Sequence, residues 1–178
     1  MTPLAIARPE ATTEFYPPYY GGYISLVPGD DILATLEQQL SSAGGVLASI
    51  DEHKANFRYA PGKWTIKELL GHVVDTERIF AYRILRFARN DHHTPIEGYD
   101  QDLYARFSPY ARLPWSVIVE ELRGARQSTL QLLHSLDSEA WMRRGVANQH
   151  EITVRALAYV IAGHLTHHLN VLKEKYLA

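Results

Sequence analysis

Hydrophobic positions recur at helical spacing through four separate stretches of this chain. In DILATLEQQLSSAGGVLASIDEH, the residues Leu33, Leu36, Leu40, Ala43, Leu47 and Ile50 follow one another three or four positions apart. That is the repeat of one helix face, and Asp30 or Asp31 supplies the N-cap. A second stretch follows the turn Ala60-Pro61-Gly62, opens with the capping box Thr65-x-x-Glu68 and runs to about Asn90. Its stripe is Leu69, Leu70, Val73, Phe80, Ile84 and Phe87. A third begins at Pro114, a residue suited to the first turn of a helix, and carries Ile118, Val119, Leu122, Thr129, Leu133 and Leu136. The fourth follows Thr153 with Leu157, Ile161, Leu165, Leu169, Leu172 and Tyr176. No stretch alternates over a useful length with the period of a strand.

Four amphipathic helices predict an all-α fold, a four-helix bundle. About ten residues join the first two helices, a connection that suits antiparallel neighbours. Residues 91–113, between the second and third, form a far longer connection than usual. It can cross the bundle end to end, which allows those two helices to run parallel. The bundle is expected over residues 30–178, with residues 1–29 as an N-terminal arm packed on it or on a partner subunit. In the arm, EFYPPYYGGYISLVPGDD combines prolines and glycines, which oppose regular structure, with Tyr16, Tyr19, Tyr20 and Tyr23. Those tyrosines carry too much apolar surface for a free tail.

Composition narrows the function. Hydrophobic residues make up 46 % of the 178, enough for a full core in one domain. A net charge of −2 gives no general attraction to nucleic acid. The absence of cysteine excludes disulfides, thiolate zinc sites and a cysteine nucleophile. The segment MTPLAIARPEATTEF lacks the charged head and apolar core of a secretory leader, and no apolar run approaches the ~18 residues of a membrane span. A cytoplasmic protein with no membrane partner is the expectation.

The candidate chemistry lies in AGHLTHHLNVL, residues 162–172. With each helical residue advancing about 100°, His168 falls roughly 20–30° from the centre of the fourth stripe and His164 roughly 60–70° from it. His167 lies more than about 110° away and reads as solvent-facing or beside the site. His164 and His168 therefore point inward together at spacing i, i+4, the geometry of helical His-x-x-x-His metal sites. Hydrogen-bonded histidines at the core edge fit the pair equally well. Of the other histidines, His72 is the one inside the second helix. It sits off the main stripe beside Leu69, Thr76 and Arg83, a place that suits a helix seam or solvent. His53, His92, His93, His134 and His150 read as surface residues. Glu77 stands near the centre of the second stripe, where a carboxylate is costly unless paired. Pairing with Arg126 or Arg155 is the favoured reading; orienting a metal-bound histidine or water is the other.

KWTIKELLGHVVDTERIFAYR, then GYDQD, then AGHLTHHL, together with the arm PYYGGYISLVPGDDI, resemble the DinB-like superfamily, which includes the YfiT-type proteins regarded as metal-dependent hydrolases. The resemblance implies an up-down-down-up bundle, in keeping with the long crossover. It also implies a metal held by His72, His164 and His168; for His72 the resemblance, not the helix wheel, makes the assignment. The family's name implies neither DNA binding nor polymerase activity.

Three neutral imidazoles would leave a divalent ion (Zn, Ni, Fe or Mn) with open positions for water and a small-molecule substrate. Hydrolysis is the first reading, since such an ion lowers the pKa of bound water to about 7. The proton-handling candidates are Glu77, His167 and Asp75. Tyr99, Asp100 and Asp102 join them if the crossover folds over the bundle mouth; otherwise that loop does turn and capping chemistry. The alternative is a metal-dependent thiol S-transferase using bacillithiol, mycothiol or glutathione, with the thiol brought by the cosubstrate. A non-catalytic metal-binding bundle is the third reading. An open cavity beside the ion separates catalysis from structure. Finally, Ile79, Val160 and Val171 lie off the main stripes, and with the arm tyrosines they suggest a homodimer. Cover for the chain's own bundle explains them nearly as well, and the frequent dimers among DinB-like proteins tip the expectation.

Overall fold

Each of the four stripes becomes a helix in the computed structural model, which describes residues 6–10, 14 and 16–178. Most of MTPLAIARPEATTEF, and with it the leader reading, lies outside the described residues. The bundle helices are α2 (Ile32–Ala48), α4 (Ile66–Ala88), α6 (Trp115–His134) and α8 (Val154–Val171). Between them lie α3 (Glu52–Ala55), α5 (Gln101–Phe107) and α7 (Ser138–Met142), and α1 (Pro18–Ser25) precedes them. The caps are those the sequence advertises. Asp31 accepts from the amides of Leu33 and Ala34, Thr65 and Glu68 close the capping box, and Thr153 accepts from Ala156. Each satisfies amides that a helix start leaves unbonded.

Two apolar clusters mark the two ends of the bundle and set the direction of every helix. Ile32, Leu36, Ile84, Phe87, Leu133 and Leu157 share one end. Leu47, Ile66, Leu69, Ile118, Leu165 and Leu172 share the other. The chain therefore runs up α2, down α4, down α6 and up α8. The order around the bundle departs from expectation: α2 packs on α6 and α8, and α4 packs on the same two. Helices α2 and α4 face each other across the diagonal and are not neighbours, because α3 and the Ala60–Gly62 turn carry the chain over the bundle end.

Three further expectations are corrected. The first helix ends at Ala48, and Asp51 starts α3 by accepting from the Lys54 amide. The buried face of α2 is Ile32, Leu36, Gln39, Ala43 and Leu47, with Leu33 and Leu40 half-buried. A hairpin, β1 (Arg144–Ala147) and β2 (His150–Thr153), precedes α8. Its strands of four residues are too short for alternation to register, and its turn uses Asn148 and Gln149 at φ of 50° and 67°. Positive φ at both turn residues matches the twist of the flanking strands. Ile96 bonds to this hairpin, through its amide to Val146 and its carbonyl from Asn148, and so ties the crossover down.

The arm is also more regular than its composition suggests. Pro17 stands in the N-cap position of α1 and Pro18 in its first turn, where the fixed φ of proline suits a helix and its missing N–H costs nothing. Tyr20 and Ile24 of α1 are buried against α8. That contact covers Val160, which is fully buried, so α8 is enclosed on all sides from Ala156 to Leu165. Val160 and Tyr20 thus belong to the chain's own core, and neither supports a homodimer. Among the described residues no helix is long and apolar enough to cross a membrane.

Candidate metal centre

His164 and His168 stand one turn apart on α8 and face His72 on the adjacent, antiparallel α4. The Nε2 atoms of His72 and His168 each lie 3.1 Å from Nε2 of His164. His72 and His164 are each only 6 % exposed, and His168 is half-buried. The helix wheel left His72 on a flank because α4 has two buried faces. One stripe packs on α6; the other, Leu69, His72, Thr76 and Arg83, is covered by α8, the arm and the crossover, and all four residues are buried.

Burial decides the protonation of these rings. It pushes His72 down to about 4, helped by His167, and His168 down to about 3, helped by His72 and His167. His164 is held well below the usual histidine range by burial, then by its three histidine neighbours. All three are neutral at pH 7. A neutral imidazole carries one N–H and one lone pair, so a proton can bridge one 3.1 Å pair while the remaining lone pairs stay turned on each other. A cation at the point of convergence removes that conflict. Two nitrogens at this separation can both reach one ion at the usual bond of about 2.0–2.1 Å. The donor set therefore fits a divalent metal, and it is the group of histidine and carboxylate residues that meets this geometry among the described residues.

Packing fixes the rings. The Trp64 ring lies 4.9 Å from that of His72, and Tyr23 of the arm lies 5.4 Å from His164 edge-on. Thr76 Oγ1 is 3.5 Å from His72 Nδ1 and 2.7 Å from the Tyr99 hydroxyl, which brings the crossover onto the site. Two glycines immediately before ligand candidates make the close cover possible. A Cβ on Gly71 would stand 2.1 Å from the Tyr110 ring, and one on Gly163 would stand 2.0 Å from the Tyr23 carbonyl. A mid-helix glycine costs about 1 kcal/mol relative to alanine, so the pairs Gly71-His72 and Gly163-His164 were a readable sign of close approach.

Clefts open on both sides of the triad. One, of about 240 Å³, is bounded by His72, His164, Thr76, Tyr99, Arg83 and the arm tyrosines. The other, of about 370 Å³, is bounded by His167, His168, Trp64, Lys63, Asp102 and Tyr176. The crossover thus lies over the bundle at the triad, with Tyr99 facing the first cleft and Asp102 the second. Asp100 is exposed and caps α5, accepting from the amides of Asp102 and Leu103. Asp75 accepts from the Tyr110 hydroxyl at 2.7 Å. His167 is half-buried, its ring 5.6 Å from that of Tyr23 and 4.9 Å from that of His168. His53, His92, His93, His134 and His150 are exposed and away from the triad.

Glu77 takes the structural role. Both its oxygens accept from Arg126, at 2.7 and 3.0 Å, with the two side chains 3 % and 1 % exposed. Arg155, the other partner considered, donates to Glu14. Arg126 also donates to Gln39 Oε1 at 3.0 Å and to the Leu36 carbonyl. Gln39 Nε2 in turn donates to the Ala162 carbonyl and to Thr166 Oγ1, both at 2.9 Å. One buried network thereby joins all four bundle helices and anchors α8 at Ala162 and Thr166, on either side of His164. Gln39 was legible only as a polar residue at a core spacing; its partner across the bundle was not.

Comparison with known proteins gives the family and the fold. A family model described as the DinB superfamily matches residues 35–172. A relative from Oceanobacillus iheyensis, named "Putative metal-dependent hydrolase OB0413", is 25 % identical over 142 residues, covering 79 % of this chain and 81 % of that protein. A relative of the same description from Bacillus mycoides is 23 % identical over 160 residues, covering 88 % and 91 %. Among solved structures, YfiT from Bacillus subtilis, described as a probable metal-dependent hydrolase with an unusual four-helix bundle topology, superposes with a TM-score of 0.66 at 16 % identity, covering 93 % of this chain and 95 % of that one. A mycothiol-dependent maleylpyruvate isomerase superposes with a TM-score of 0.63 at 13 % identity, covering 78 % of this chain and 58 % of that one.

Proposed function

The chain belongs to the DinB superfamily, and from that premise we propose that it is a metal-dependent enzyme of hydrolase type acting on a small molecule. The observation that carries the reading is the triad itself: three neutral imidazoles, two buried and one half-buried, converge on one point with a cleft on either side. His72, His164 and His168 would hold a divalent ion. Bound there, the ion would supply a lowered pKa for water and polarisation of a carbonyl. The chain's own residues do the rest. Trp64 and Tyr23 hold the histidine rings and limit access of bulk water. Thr76 and Tyr99 present hydroxyls to the first cleft. His167, at the rim of the second, is the residue placed to accept and return a proton, since Glu77 is held by Arg126 and Asp100 by the α5 amides.

The test is metal analysis of protein purified without a histidine tag, then a hydrolase screen with that metal restored. Stoichiometric metal that persists when all three histidines are changed to alanine refutes the site. Metal without turnover on any ester, amide or lactone refutes the hydrolase and leaves thiol transfer or the non-catalytic bundle.

The two clefts favour one further reading, transfer of a thiol cosubstrate. With no cysteine in the chain, the sulfur nucleophile must come with that cosubstrate. The Lys63, Trp64 and Asp102 cleft would take it while the substrate occupies the other. The assembly expected with either reading is a homodimer; Ile79 and Val171 pack in part on the chain's own clusters and leave only their remaining surface for a partner, and light scattering at twice the 20.2 kDa chain mass checks it.

A further inference from the structure

Arg83 poses a problem that the triad does not solve. Its side chain is 2 % exposed on α4, yet no carboxylate among the described residues pairs with it. Its guanidinium lies 5.2 Å over the Phe80 ring and donates from Nη2 to the Glu97 carbonyl at 3.2 Å, while Nε is buried with no partner. The molecule's other fully buried arginine, Arg126, shows the usual solution, a two-point carboxylate partner. A buried cation without a counter-ion is costly, and a native structure keeps one where something else is gained.

Arg83 lines the 240 Å³ cleft whose far end is His72 and His164. It follows His72 by eleven residues, about 16 Å of helical rise, and its long side chain leans back toward the histidine end. Tyr20, Tyr23 and Tyr99 wall the cleft between them, and among the described residues no acidic side chain or lysine lines it. A guanidinium presents a planar fork that fits the two oxygens of a carboxylate. One isolated positive charge matches a monoanion, and the volume is below the usual range for drug-sized ligands, about 300–1,000 Å³.

From this we infer that Arg83 is the anchor for a small monocarboxylate, whose other end reaches the histidine triad. The inference rests on the functional reading above and adds its substrate class: a compact carboxylate whose reacting group is several bonds from the carboxyl. Arg83 binds and orients; the chemistry takes place at the other end of the cleft.

The test uses the full chain treated with a chelator, so that it reads the anion site without the metal. Butanoate is the probe, with butanamide and inorganic phosphate as controls, followed by saturation-transfer NMR and by thermal shift. Butanoate is expected to bind saturably and raise the melting temperature, with both controls at least tenfold weaker. Arg83→Met should weaken butanoate at least tenfold while keeping helical circular dichroism and a urea midpoint no lower than that of the parent. Arg83→Lys, which keeps the charge but not the fork, should fall between. His164→Ala should retain butanoate within about threefold. Equal binding of butanamide, tighter binding of phosphate, or unchanged binding by Arg83→Met overturns the assignment. Metal content measured on each preparation before chelation keeps the two readings apart: a parent protein that arrives without metal yet binds butanoate strikes the metal reading alone, and one that arrives with metal yet fails to bind butanoate strikes this one alone.

Discussion

Replacing Arg126 by methionine tests the buried network most directly. The guanidinium is 1 % exposed and makes four hydrogen bonds: two to Glu77, one to Gln39 Oε1 and one to the Leu36 carbonyl. Methionine fills much of the volume but leaves the Glu77 carboxylate, 3 % exposed, without a counter-ion. Breaking a buried pair on one side costs about 3–5 kcal/mol. Against a total stability of about 5–15 kcal/mol, that is a large fraction. With a urea slope of about 2 kcal/mol/M, a 4 kcal/mol loss lowers the midpoint by about 2 M. The second arm is Glu77→Leu with Arg126→Met. Exchange of a buried pair for apolar groups is often neutral or stabilising, by up to about 4 kcal/mol, while the orphaned Gln39 oxygen costs about 1–3 kcal/mol. The double variant should therefore be more stable than Arg126→Met alone. Urea unfolding followed by far-ultraviolet circular dichroism, with the slope checked for constancy, gives the comparison. A single-variant cost under about 1 kcal/mol, in the range of exposed pairs, would mean that water reaches the pair and would refute the reasoning.

Three other outcomes are expected. His164→Ala should abolish metal binding and leave helicity nearly intact, because two apolar clusters span the bundle without the triad; an apo-protein unfolded at room temperature, seen by circular dichroism, contradicts this. Gly163→Ala places a Cβ 2.0 Å from the Tyr23 carbonyl, so α1 must shift; limited proteolysis should cut the arm at least several-fold faster, and an unchanged rate would show that the arm is not seated there. For the chelator-treated protein, the folded-state values of about 4 for His72 and about 3 for His168 lie below the unfolded value near 6.5. The unfolded state then binds more protons between those limits, so stability is full above about pH 6.5 and falls as pH drops toward 4. Melting temperatures across pH 4–8 check the sign, and His72→Phe should flatten the acid limb.

Periodicity and capping were enough to read the bundle from the chain. The boundaries near Thr65 and Thr153 hold because each is a local event, one side chain against the first amides of a helix, while the third helix starts at Trp115, one residue later than expected, with Pro114 in the N-cap position. The inward pair His164 and His168 was legible for the same reason, since spacing along one helix fixes which residues share a face. What the tertiary structure decided are the relations between elements distant in sequence. His72 could not be placed by its own helix, because burial on a second face depends on α8, the arm and the crossover arriving there. The diagonal placement of α2 and α4 follows from packing among four helices, on which their short connection is silent. Glu77 had two candidate partners in the chain, and only the approach of α6, with Glu14 occupying Arg155, selected Arg126. Val160, an apparent surface strip, is core because α1 packs on α8, a seating that Gly163 permits one turn away. The isolation of Arg83 is of the same kind: a charge is unpaired only with respect to everything that could have reached it, and that is settled in three dimensions.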